Sequence, residues 1–141
     1  MATLNDAIIQ VVRYARTLPG VREAPDYPPE SLNSYPFVLG FAGGGVWRFG
    51  PAGDKKGLHS ITLELHVARK DLPKDVEKSM GFSDSIPNLL MSKLINDNKW
   101  NNTIDTFDQI SYTFGPLGWG NEPTLGFRFK IENIKMQSTI T

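Results

Sequence analysis

Apolar residues recur at helical spacing over residues 4–18, at Leu4, Ile8, Val11, Val12, Ala15 and Leu18, and predict an amphipathic opening helix. Thr3 or Asn5 is placed to cap it, and Pro19-Gly20 to stop it. Over residues 61–67 the period changes. In Ile61-Thr62-Leu63-Glu64-Leu65-His66-Val67 each odd position is apolar and each even one polar, the pattern of a strand with one buried face. The same alternation returns at Ile110, Tyr112 and Phe114, then at Leu125, Phe127, Phe129 and Ile131, and predicts an antiparallel pair. Between these regions Ile86, Leu89, Leu90, Leu94 and Ile95 resume the helical spacing after Gly81. Ser83 or Asp84 would cap this second helix, with Pro87 in its first turn, and Asp71-Leu72-Pro73 reads as an earlier helix start.

Glycine and proline punctuate the rest. Pro25, Pro28, Pro29 and Pro36 predict an extended connector over residues 21–36. The apolar runs 37–41 and 46–49, separated by Gly43-Gly44-Gly45, predict two short strands or one broken strand. Residues 51–57 are polar and glycine-rich, which suggests a flexible hairpin arm. Residues 115–123 read as a loop too long for a tight hairpin, and residues 136–141 as a frayed tail. No internal repeat or shift of composition marks a second domain. The order helix, strands, helix, strands predicts a single α+β domain over residues 1–141. Its expected form is a mostly antiparallel sheet of about four to five strands, with two main helices packed on one face.

Composition narrows the chemistry. The 141-residue chain has no cysteine, which excludes disulfides, cysteine-ligated metals and thiol catalysis. Fifteen Lys and Arg balance fifteen Asp and Glu, so no global basic field favours nucleic acid. No basic leader or membrane-length apolar run is present, and the chain reads as soluble and cytoplasmic unless carried out in a particle. On that reading the sequon Asn101-Asn102-Thr103 is an accident.

Candidate sites are few. His59 and His66 lie seven apart on one strand, which sends them to opposite faces and reads as strand-surface placement, not metal ligation. Gly43-Gly44-Gly45 lacks the following Lys-Ser or Lys-Thr of a phosphate loop. Asp105 and Asp108 read as solvated, and Ser31, Ser34, Ser60 and Ser111 lie in no nucleophile elbow. No catalytic residue, metal site or cofactor is expected. Lys55 and Lys56 form a basic pair on the predicted arm. Of Trp47, Trp100 and Trp119, the last, with glycines on both sides, is the expected outward-projecting interface anchor, with Asn121 beside it.

Five strings extend the picture: Leu18-Pro19-Gly20-Val21 after the first helix, Leu58-His59-Ser60-Ile61-Thr62-Leu63-Glu64-Leu65-His66-Val67, Leu72-Pro73, Ile110-Ser111-Tyr112-Thr113-Phe114-Gly115, and Phe127-Arg128-Phe129. Their layout, over roughly residues 4–134, resembles the tail terminator and tail completion proteins of long-tailed bacteriophages. The resemblance implies a virion structural protein of the tail or neck, not an enzyme. It implies a homo-hexameric ring that caps the tail tube, stops its polymerisation and joins it to the head connector. The implied partners are further copies of the chain, the tail-tube protein and the head-connector or neck protein. DNA would pass through the lumen, and no membrane is involved. Lys55, Lys56, Trp119 and Asn121 are the candidate interface residues.

Two rivals stand beside this reading. One is another neck or head-completion protein of the same particle. The other is a small cytoplasmic enzyme or ligand-binding protein whose pocket is lined by Phe37, Phe41, Trp47, Tyr112 and Phe127.

Overall fold

A computed structural model describes residues 3–32, 34–69 and 76–139. In chain order they form α1 (Leu4–Arg16), β1 (Phe37–Phe49), β2 (Asp54–Arg69), α2 (Val76–Ser79), α3 (Phe82–Asn96), β3 (Gln109–Trp119) and β4 (Glu122–Thr139). The strands make one sheet in the order β1-β2-β4-β3, with every neighbouring pair antiparallel. The fold is α+β as expected, with four strands. The expected helix start at Asp71-Leu72-Pro73 lies outside the described residues.

α1 begins where a capping box satisfies its first donors: the Thr3 hydroxyl accepts from Asp6 N–H, and the Asp6 carboxylate accepts from Thr3 N–H. Its apolar stripe buries Ala7, Val11, Val12 and Ala15. The same core receives Ile86 and Leu90 of α3, and Ile61, Leu63, Leu65, Phe127, Phe129 and Ile131 of the sheet. Both main helices therefore cover one face, here the inner face. α3 starts at Gly81 without a side-chain cap, where Ser83 or Asp84 was expected. Ser83 Oγ instead donates to Met80 C=O.

Several sequence expectations stop too early. β1 is one strand, because a bulge at Gly43, between Ala42 and Gly44, absorbs the glycine run without ending the ladder. The arm is strand from Asp54 onward, not flexible chain: Lys55, Lys56 and Gly57 pair with Phe49, Arg48 and Trp47 on one side and with β4 on the other. The tail does not fray at Met136, since β4 pairs with β2 through Thr139 and Met136 is buried. Nor is 115–123 a long loop. Trp119 pairs with Glu122, leaving a two-residue turn in which Gly120 takes the positive φ (62°) that such turns require.

The connector is tied down at both ends. Arg13 and Arg16 of α1 both hold Asp26, and Arg16 also donates to Ala24 C=O. Further on, Leu32 packs with Phe37 and Leu39 on the outer face of the sheet, and Trp119 closes over them.

After α3 the chain does something the apolar pattern does not announce. Asn98, Lys99, Trp100, Asn101 and Asn102 all have φ between 49° and 63°, a single left-handed helical turn. Each L-residue there costs roughly 1–2 kcal/mol, least for Asn, and three of the five are Asn. Trp100 holds the turn in place: it is fully buried, its Nε1–H donates to Leu90 C=O at 2.9 Å, and its ring lies 5.2 Å from Phe107. It belongs to the core and is no interface anchor. Lys99, exposed and left-handed, should gain from losing its Cβ. Lys99→Gly is expected to raise the free energy of unfolding by up to about 1 kcal/mol, read from urea denaturation, whereas Lys99→Val should lower it.

Candidate functional site

β2 is buried at every residue from 61 to 68. Its even residues, expected at the surface, therefore need partners. Glu64 and His66 lie opposite Leu39 and Phe37 of β1, on the outer face. Thr124 Oγ1 and His66 Nδ1 are 2.6 Å apart, His66 Nε2 and Glu64 Oε1 3.0 Å, and Arg128 Nε donates to Glu64 Oε2 at 2.9 Å. An ionised carboxylate only accepts, so neutral His66 carries its proton on Nε2 and accepts from the Thr124 hydroxyl at Nδ1. Burial pushes the Glu64 carboxyl up, but hydrogen bonds from His66 and Arg128 outweigh it and hold the group below the ordinary range.

A hydroxyl, an imidazole and a carboxylate in series are the parts of a nucleophile relay. Here Thr124 and His66 are completely buried, beneath the face that Phe37 and Leu39 occupy. The series works as a polar tie between β2 and β4. His66 is thus no surface residue, as its alternating sequence had suggested.

His59 is also buried, on the inner face beside Ile134. Its ring meets Trp47 edge-on at 4.2 Å between centroids, and its Nε2 has no hydrogen-bond partner. Gly45 and Gly57 make room for it, since a Cβ on either would lie 2.1–2.3 Å from a ring nitrogen. Burial, then the Lys55 charge, lowers its affinity for a proton. The two histidines do face opposite ways, and among the described residues no group of three His, Asp or Glu could hold a metal.

Alternation divides the expected basic pair. Lys55 turns to the inner face, with Nζ 4.0 Å from the centre of the Trp47 ring. Lys56 turns outward, directly opposite Arg48. On the same outer face Val46 opposes Leu58, and Leu58 opposes Lys135. This end of the sheet thus presents Val46 and Leu58, 55% and 45% exposed, among three exposed cations. Like charges facing each other across strands are unfavourable. Asp105 lines the same open groove of about 310 Å³, yet Arg48, Lys56 and Lys135 have no ion-pair partner among the described residues.

Trp119 does not project outward. Its ring stacks on Phe41 at 5.8 Å and its Nε1–H donates to Pro29 C=O at 2.6 Å, pinning the β3–β4 turn to the connector. Asn121 is exposed at the tip of that turn. The four expected interface residues accordingly fall on separate surfaces. What residue reading missed is the opposite edge: on β3, Tyr112 and Phe114 remain 52% and 40% exposed although their rings lean on Phe127 and Phe129. The signal was present as strand alternation, but not that the helices stop short of β3.

The aromatic pocket of the rival reading does not form. Phe37 and Phe41 occupy the outer face, and Trp47, Tyr112 and Phe127 the inner one. An open polar pocket of about 550 Å³ lies between α1 and the left-handed turn, lined by Asp6, Gln10, Arg13 and Asn101 among others. Its charged groups are already committed, Asp6 to the helix cap and Arg13 to Asp26. Asp105 and Asp108 are exposed, as expected. Among the described residues no helix is long and apolar enough to cross a membrane. The chain matches no protein-family model and no curated protein.

Two outcomes test the buried groups. Unfolded histidine takes up its proton near pH 6.5, where folded His59 resists it. The stability this contributes is full above about pH 6.5 and is lost as pH falls. Glu64 and Asp26, both held low, add a separate loss below about pH 4.5. Urea midpoints against pH should show both limbs, and His59→Gln should remove only the upper one. His66→Ala, which strips a partner from Glu64 and from the Thr124 hydroxyl, is expected to cost about 3 kcal/mol at pH 7 by urea denaturation.

Proposed function

We propose that the chain is a structural subunit of a phage particle, a tail terminator that assembles as a ring on the end of the tail tube and joins it to the head connector. The observation that carries this reading is the asymmetry of the sheet. Its two end strands differ: β1 exposes Val46 on the outer face and Phe49 on the inner one, whereas β3 exposes Tyr112 and Phe114 on the inner face. Two different contact surfaces on opposite faces favour heterologous assembly, and such contacts make a closed ring when the rotation closes. The layout of helices and strands that resembles tail terminators supports the same reading and supplies its partners: further copies, the tail-tube protein and the connector. DNA would cross the lumen.

Light scattering over a concentration series, with negative-stain imaging, is expected to give closed rings, six-fold on this reading, that cap tubes of tail-tube protein. A chain absent from purified virions, or one that never caps tubes, would overturn the assignment.

A further inference from the structure

We infer that the subunit-to-subunit joint is made by the outer face of the β1–β2–β4 arm of one copy seated on the inner face of β3 in the next, an inference that rests on the ring reading. The occupant is a second copy of this chain because each surface supplies what the other lacks. The arm face holds Val46 and Leu58 among Arg48, Lys56 and Lys135. The β3 edge offers the aromatic faces of Tyr112 and Phe114. Near its start stands the exposed Asp108, whose side-chain hydrogen bond is to the neutral amide of Asn133.

Aliphatic side chains would cover aromatic rings, and cations without an ion-pair partner among the described residues would meet the Asp108 carboxylate and π faces that attract positive charge. The two surfaces also lie on opposite faces at opposite ends of one sheet, so no copy can satisfy its own. Joining them places the arm of each subunit over the edge of its neighbour, like overlapping tiles, and leaves a free arm and a free edge until the series closes on itself.

The chain has no cysteine, which makes the test clean. In the full-length chain, Leu58→Cys and Tyr112→Cys are introduced singly and together, and each protein is treated with a short bis-maleimide. The double variant is expected to give a ladder of covalent oligomers ending at the size of the assembly, while each single variant stays monomeric. Val46→Cys with Phe114→Cys repeats the test should the first pair disturb folding. Rising salt should weaken the assembly if the cations take part.

Covalent dimers from either single variant would mean like-to-like contact and overturn the joint. A wild type that forms rings while neither double variant gives a ladder overturns this joint and leaves the ring reading standing. A wild type that stays monomeric at every concentration overturns both.

Discussion

A strand buried on both faces has no place for an unsatisfied polar group, and β2 is such a strand from residue 61 to 68. Its odd residues go to the helices without difficulty. Its even residues include Glu64 and His66, and leaving either unpaired in the interior would cost more than a typical side-chain contact returns. The solution reaches across the sheet: Arg128 and Thr124, both on β4, supply the missing partners. This adds side-chain ties to the backbone ladder between β2 and β4. The burial itself needs a lid, and the lid is made from the connector and the β3–β4 turn. Leu32, Phe37, Leu39 and Trp119 close over that part of the outer face, and the indole donor finds Pro29 C=O. The paths of two otherwise loose segments thus follow from polar side chains on one strand.

The elements with a regular period were legible before any coordinates. The stripe on α1, the alternation of β2 and the two alternating runs of β3 and β4 are local signals, and each found its place. Glycine misled because its meaning is contextual. At Gly43 it absorbs a bulge, at Gly45 and Gly57 it makes room for the His59 ring, and at Gly120 it completes a tight turn. Read singly, all of these look like breaks or flexible loops. The outer lid was invisible for another reason. Alternation in β2 says that one face is apolar, and only the three-dimensional return of the connector and Trp119 buries the polar face as well. Trp100 shows the same limit: its burial depends on a left-handed turn that no apolar spacing encodes.

The two layers that cover the sheet are not in register with each other. The lid shelters the outer face around Phe37 and Leu39, and by Val46 and Leu58 the face is bare. On the inner side the helices protect β2, β4 and the first half of β1 but leave Phe49 at the end of β1 and Tyr112 and Phe114 of β3 exposed. At the arm end the inner side chains are well supported, with Trp47, His59, Ile134 and Met136 packed there and Lys55 laid across the Trp47 ring. Three paired strands with one packed face form a stiff projection, so docking it would sacrifice little conformational freedom.

A body whose two layers are displaced in opposite directions has a step at each end, and the steps face opposite ways. Stacking such bodies back to back through a two-fold axis brings like steps together and covers neither with its complement. Placing them head to tail lets each projecting arm fill the neighbour's recess, repeating one contact with a fixed rotation. Whether such a series closes or runs on depends only on that rotation, which the stiffness of the arm would hold constant from copy to copy. The angle at which the arm leaves the core is set where the ladders break register, between His59 and Ile61 on the β4 side and at Gly43 on β1, because a bulge bends its strand and sharpens the local twist.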